Sequence, residues 1–153
     1  MVKKRNLFLF VIVFVAVIVI VYLLLSKGII DINKVKQQGS DFHYSIISLA
    51  AVIGGFLFTG IGILISALSN ERVKRLWDNN YLDNLYRTAF AGILGNVIAI
   101  IFAIIILSAP IVNDQTIEKM IIIELEAILV GIFYFLWCIY YLRFIITRLK
   151  ESN

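Results

Sequence analysis

The sequence predicts an all-α polytopic membrane protein: one compact bundle of four transmembrane helices over residues 1–153, with both termini cytoplasmic. Three observations carry this. Apolar residues make up 61% of the chain, where soluble domains hold about 45–50%. Four runs, 7–25, 45–68, 88–108 and 120–142, each reach or approach the roughly 20 apolar residues that a hydrocarbon core requires. The basic residues are also shared unequally between the loops. Lys3, Lys4, Arg5, Arg72, Lys74, Arg75, Arg87, Arg143, Arg148 and Lys150 give ten on one side, against Lys27, Lys34, Lys36 and Lys119, four, on the other. Positive charge collects on the cytoplasmic side of such proteins, which places the termini and the 69–87 hairpin inside.

The first span follows "MVKKRN", which resembles the charged start of a secretory signal. Its apolar run is longer than a signal's, and "LLLSKG" offers no small-x-small cleavage site, so a retained signal anchor is expected. With Ala16 as its one small residue, this helix belongs at the periphery of the bundle. The loop that follows is polar. Its "QQGSD" supplies a turn glycine and two N-cap candidates for the second span, Ser40 and Asp41. After the second span, Val73, Leu76, Trp77, Tyr81, Leu82, Leu85 and Tyr86 recur at helical spacing among charged residues. That pattern fits a short amphipathic helix at the inner headgroup level; an aromatic belt around the hairpin is the alternative. Pro110 stops the third span, and Asn113 or Asp114 caps the fourth.

At about 100° per residue, small and polar residues gather on one face of each later span. These are Ser48, Ala51, Gly55, Thr59, Gly62 and Ser66 in the second, and Thr88, Gly92, Gly95, Asn96, Ala99 and Ala103 in the third. In the fourth they are Glu124, Ala127, Gly131, Tyr134, Cys138 and Tyr141. Helices in lipid gain little hydrophobic energy by associating, so close approach through small residues drives their packing. Gly55, Gly62, Gly92, Gly95 and Gly131 are therefore the expected contact positions of a three-helix core.

The same faces hold the candidate pore or polar core: Glu124, Asn96, Thr59, Ser48 and Ser66. Asn96 lies deep in the third span, where an unpaired amide is costly. Glu124 and Glu126 are two residues apart, about 200° around a helix, so they form no carboxylate pair. Glu124 shares the small-residue face and is expected at the outer mouth. There it is either solvated at the interface, or copies from several subunits form an acidic ring that attracts cations. The inner hairpin offers Arg72, Lys74, Arg75, Trp77 and Tyr81 as a docking surface for a cytoplasmic protein.

Several functions find no support. There is no HExxH, GxSxG, CxxC or phosphate-cradling glycine loop, so no enzyme, cofactor or metal site is expected. One cysteine and one histidine, Cys138 and His43, cannot supply a disulfide or a multi-histidine site. The basic residues follow the loops of a membrane protein and carry no nucleic-acid signature. In plan, "GGFLFTGIGILIS", a charged hairpin with "NNYLDNLYR", and two further spans resemble small uncharacterised four-span bacterial membrane proteins, the likeness covering roughly residues 45–108. Some of those sit beside anti-phage defence genes as membrane sensors or membrane-disrupting effectors. The resemblance implies antiviral defence at the cell membrane. The leading expectation is a homo-oligomeric, channel-like or membrane-perturbing component. The alternative is a non-conducting sensor, immunity or anchoring subunit that binds its partner through residues 69–87.

Overall fold

The computed structural model describes the backbone of residues 2–78, 81–108 and 113–151, and the side chains of these except 2–11, 14, 72, 75, 76, 78, 81 and 148–151. The described residues form six helices: α1 (Val2–Ser26), α2 (Ile32–Gln38), α3 (Ser40–Ala67), α4 (Glu71–Asp78), α5 (Tyr81–Ser108) and α6 (Asp114–Glu151). Three stretches are long and apolar enough to cross a membrane: Ser40–Ala67, Leu82–Ser108 and Asp114–Thr147. The described apolar part of α1, Val15–Ser26, is shorter. The chain is thus all-α and membrane-embedded in character. Pro110 lies outside the described residues.

α5 is the central helix, lying along α6 on one side and α3 on the other, while α1 touches α6. Because α3 and α6 both run antiparallel to α5, the bundle has two distinct ends. One carries α2, the start of α3 and the start of α6; the other carries α4. The expectation for α1 holds over its described part. Val17 and Val21 pack inward, and Ile12, Val15, Ile18, Val19, Ile20, Tyr22 and Leu23 are exposed.

Local chemistry explains the helix ends. Asp31 caps α2 by accepting a hydrogen bond from the Asn33 N–H at 3.0 Å. Gly39 then ends α2 and begins α3 at φ 60°, ψ −136°, a conformation essentially confined to glycine. This corrects the capping expectation: Ser40 and Asp41 lie in the first turn of α3, and no side chain caps it. At the start of α6, Asn113 is the capping residue of the two candidates. Its Oδ1 accepts from the Gln115 N–H at 3.4 Å, and its carbonyl accepts from Thr116 and Ile117. α6 spans 38 residues, roughly 57 Å at 1.5 Å per residue, and so outruns a hydrocarbon core of about 30 Å. Of the amphipathic pattern expected in the hairpin, Val73, Leu76 and Trp77 fall in the short helix α4; Tyr81, Leu82, Leu85 and Tyr86 instead begin α5, where Leu82 and Leu85 are buried in the core.

Two buried clusters fill the interior. Toward the α2 end, Ile46, Ala50, Ala99, Ala127 and Ile128 pack together. Toward the α4 end, Ile53, Leu57, Leu82, Leu85, Ala89, Cys138 and Ile145 do so. Between them the helices approach most closely, through glycine. A Cβ added at Gly95 would stand 3.0 Å from the Gly131 nitrogen and 3.1 Å from the Ala127 carbonyl oxygen. Only a residue without a side chain lets α5 and α6 meet at that distance.

Candidate functional site

Two of the three predicted faces are turned inward as expected. On α5, Thr88, Gly92, Gly95, Asn96, Ala99 and Ala103 are all buried. On α6, Glu124, Ala127, Gly131, Tyr134 and Cys138 are buried, and Tyr141 is half-buried. The α3 face is a correction. Ser48, Ala51, Gly55, Thr59, Gly62 and Ser66 are all exposed, and among the described residues nothing lies within 4 Å of a Cβ added at Gly55 or Gly62. What α3 buries is the heptad His43, Ile46, Ala50, Ile53 and Leu57. At 100° per residue the two faces lie roughly 160° apart. Gly55 and Gly62 are therefore not packing positions within the protomer.

The reason for this rotation sits on α6. Glu124 is 0% exposed, which corrects its placement at a solvated mouth: no ring of Glu124 carboxylates can form while each is enclosed by its own protomer. Its partner is His43, also buried. His43 Nδ1 lies 2.8 Å from Glu124 Oε2 and 3.1 Å from Oε1, so one ring nitrogen serves both oxygens. A buried carboxyl without a partner costs several kcal/mol (order of magnitude), so Glu124 selects the α3 face that carries the histidine. Glu126, about 200° further round α6, is half-buried.

Asn96 occupies the narrowest part of the bundle. Its Nδ2 donates to the Gly92 carbonyl at 2.7 Å, four residues back on its own helix. Its Oδ1 is buried with no hydrogen-bond partner among the described residues. The amide rests against Gly131, where an added Cβ would come within 2.6–2.9 Å of its Nδ2, Cγ and Oδ1. Oδ1 therefore faces the α6 backbone, and the surroundings suit a Cα–H···O contact. Asn96 lines no water path within one protomer.

The hydroxyls of the outward α3 face are mostly satisfied locally. Ser48 donates to the Tyr44 carbonyl at 2.9 Å and Ser66 to that of Ile63 at 2.8 Å, the back-bonding that lets hydroxyls reside in membrane helices. Thr59, between them, makes no hydrogen bond among the described residues. Flanking this strip are large exposed apolar side chains, among them Val52, Phe56, Phe58 and Ile63. A cleft of about 240 Å³ with a mostly apolar lining, including Phe56, Gly60, Leu64, Phe135 and Cys138, opens between α3, α5 and α6.

At the α2 end, Lys36 reaches across to α6, 2.8 Å from Glu118 and 3.8 Å from Asp114. The hydrogen bond to Glu118 holds the Lys36 ammonium above the ordinary lysine range. At the other end, Trp77 and Lys74 of α4 are exposed. The remaining hairpin candidates, the side chains of Arg72, Arg75 and Tyr81, lie outside the described residues. Among the described residues no group of three or more His, Cys, Asp or Glu side chains could hold a metal ion.

Sequence reasoning missed the role of His43. The signal was available, since a membrane chain with one histidine and one glutamate on a packing face offers few ways to neutralise that carboxyl. No protein-family model, curated protein or solved structure matches the chain.

Proposed function

We propose that the chain is a channel-like or membrane-perturbing component of the cytoplasmic membrane, working as a homo-oligomer assembled through the outward face of α3. In this reading α1 is the fourth span, both termini and α4 lie in the cytoplasm, and the α2 end faces outward. The observation that carries it is the α3 strip of Ser48, Ala51, Gly55, Thr59, Gly62 and Ser66, exposed throughout while the opposite face is buried from His43 to Leu57 and half-buried beyond. Small residues at such spacing are what helices use to approach one another in lipid. Among the described residues nothing lies within 4 Å of a Cβ added at Gly55 or Gly62, and Thr59 leaves its hydroxyl unpartnered. A second copy, or the water of a central path, supplies what the protomer lacks. Ser48, Thr59 and Ser66 then line the path, and Glu124 takes no part in it.

Purified protein in liposomes should pass small ions, and Gly55→Leu with Gly62→Leu should abolish both the flux and the cross-linked oligomer. Both positions are open in the protomer, so the variant keeps its fold. Background flux from folded wild-type protein at every protein-to-lipid ratio removes the channel reading.

A second reading has its own support in α4, whose exposed Trp77 and Lys74 suit a cytoplasmic protein surface. A non-conducting sensor or anchor for a defence partner predicts that Lys74→Glu with Trp77→Ala abolishes partner capture while wild-type conductance stays at background.

A further inference from the structure

His43 and Glu124 form an isolated polar pair in apolar surroundings. Among the described residues neither makes another hydrogen bond or ion pair. One turn along each helix stand Ile46 on α3 and Ala127 and Ile128 on α6, which pack with Ala50 and Ala99. The other ionisable groups near this end are occupied or turned away. On α3, Asp41 and Tyr44 are exposed; on α2, Lys34 is exposed and Lys36 is held by Glu118 of α6. On α6, Lys119 is exposed and Glu126 points elsewhere, while α5 has no titratable residue from Thr88 to Ser108. Tyr22, the one such group in the described apolar part of α1, is 70% exposed.

Charge must therefore balance within the pair. With the imidazole neutral and its Nδ1–H donating to the carboxylate, the site carries one uncompensated negative charge. One further proton makes it neutral, either as imidazolium beside carboxylate or as imidazole accepting from a carboxyl O–H. A lone buried charge is far more costly than a neutral pair, so proton occupancy decides whether α3 and α6 hold together here. Access is one-sided. Glu124 has no exposed surface, and both its oxygens face His43. His43 keeps 6% of its side chain exposed against none for Glu124, so the route left for a proton runs across the ring: Nε2 would take a proton from water, the Nδ1–H bond break, and an O–H bond form on Glu124. The product is an Nε2–H imidazole that accepts from the new carboxyl.

We propose that His43 and Glu124 constitute a proton-binding site at the α2 end of the bundle, loaded through the imidazole and titrating as one unit. The site stands independently of any oligomer built on α3.

The chain has one histidine, so ¹⁵N-histidine labelling gives ring signals that need no assignment. In micelles, over about pH 4–9, the ring and one buried glutamate carboxyl, followed by ¹³C, should move over the same pH interval. Glu124→Gln should displace the His43 midpoint by about one pH unit or more, as expected for strongly coupled groups. An identical midpoint in wild type and Glu124→Gln overturns the proposal, as does a ring that does not titrate. Should Glu124→Gln fail to fold, the wild-type protein alone decides: a shared interval supports the site, and separate intervals for ring and carboxyl overturn it.

Discussion

Gly131→Ala probes the closest contact in the bundle. The added Cβ would stand 2.6 Å from Asn96 Nδ2, where ordinary van der Waals contact begins near 3.4 Å, a shortfall of 3.4 − 2.6 = 0.8 Å. The amide cannot swing aside freely, because Nδ2 is tied to the Gly92 carbonyl at 2.7 Å. If the helices part locally instead, they give up the close backbone contact between Gly95 and Gly131. Overpacking of this kind costs about 1–3 kcal/mol. Losing the buried amide hydrogen bond adds about 1–3 kcal/mol. The better helix propensity of alanine returns about 1 kcal/mol, leaving a net destabilisation of about 1–5 kcal/mol. Cys138 provides the assay, being the one thiol in the chain and buried in the native bundle. A thiol-reactive fluorophore therefore reports unfolding in mixed micelles without further engineering. Gly62→Ala, whose added Cβ meets no described atom within 4 Å, is the matched control and should be neutral or slightly stabilising. Asn96→Ala in the Gly131→Ala background should recover part of the loss, because the clash requires both side chains. If Gly131→Ala unfolds with Gly62→Ala, the contact between α5 and α6 is wrongly placed.

Glu124→Leu alone should retain the fold better than His43→Leu alone, which strands the carboxyl and costs about 3–5 kcal/mol. The double variant His43→Leu/Glu124→Leu should be at least as stable as Glu124→Leu in the same thiol-unfolding assay; a double variant worse than His43→Leu contradicts a paired site. The tie from α2 to α6 has a definite pH sign. The folded pKa of Lys36 is raised, principally by Glu118, so its contribution is fully present below the ordinary lysine range and is lost as pH rises through the raised value. The tie between Lys36 and Glu118, read as the chemical shift of the Glu118 carboxyl carbon, should accordingly persist up to that range and be lost above it, and Lys36→Met should remove it at neutral pH. Gly55→Leu with Gly62→Leu should leave protomer unfolding unchanged while removing cross-linked oligomers; an unchanged oligomer assigns the α3 strip to lipid.

Much of the fold is legible from composition and period. The apolar runs find the three long helices, and the inward faces of α5 and α6 follow from the spacing of their glycines, Asn96 and Glu124. α1 is peripheral because valine and isoleucine offer no close approach. α2 escapes detection because a seven-residue helix within a polar loop has no hydrophobic period, and its signals, Asp31 before it and Gly39 after it, are short-range. The α3 error has a different origin. A span defined as 45–68 by its apolar run excludes His43, which lies two residues before it, and with His43 goes the first member of the face that is buried. The same boundary hid the partner of Glu124, so a buried site read as an exposed one.

α3 could have packed in either of two ways, and the energies show why one prevails. Its small-residue face would allow closer approach to α5, with polar contacts worth about 0.6 kcal/mol each on average in membrane helices. Turning that face inward rotates the helix by roughly 160° and carries His43 away from α6. Glu124, fixed on the inward face of α6 beside Ala127 and Gly131, would then be an unpartnered carboxyl in an apolar core, a loss of several kcal/mol (order of magnitude). A few small contacts do not offset that. The buried pair therefore sets the rotation of α3, and in doing so it leaves the glycine- and hydroxyl-bearing strip outside. What reads in sequence as the packing face of a protomer becomes, by the demand of one glutamate, the face left over for whatever lies beyond it.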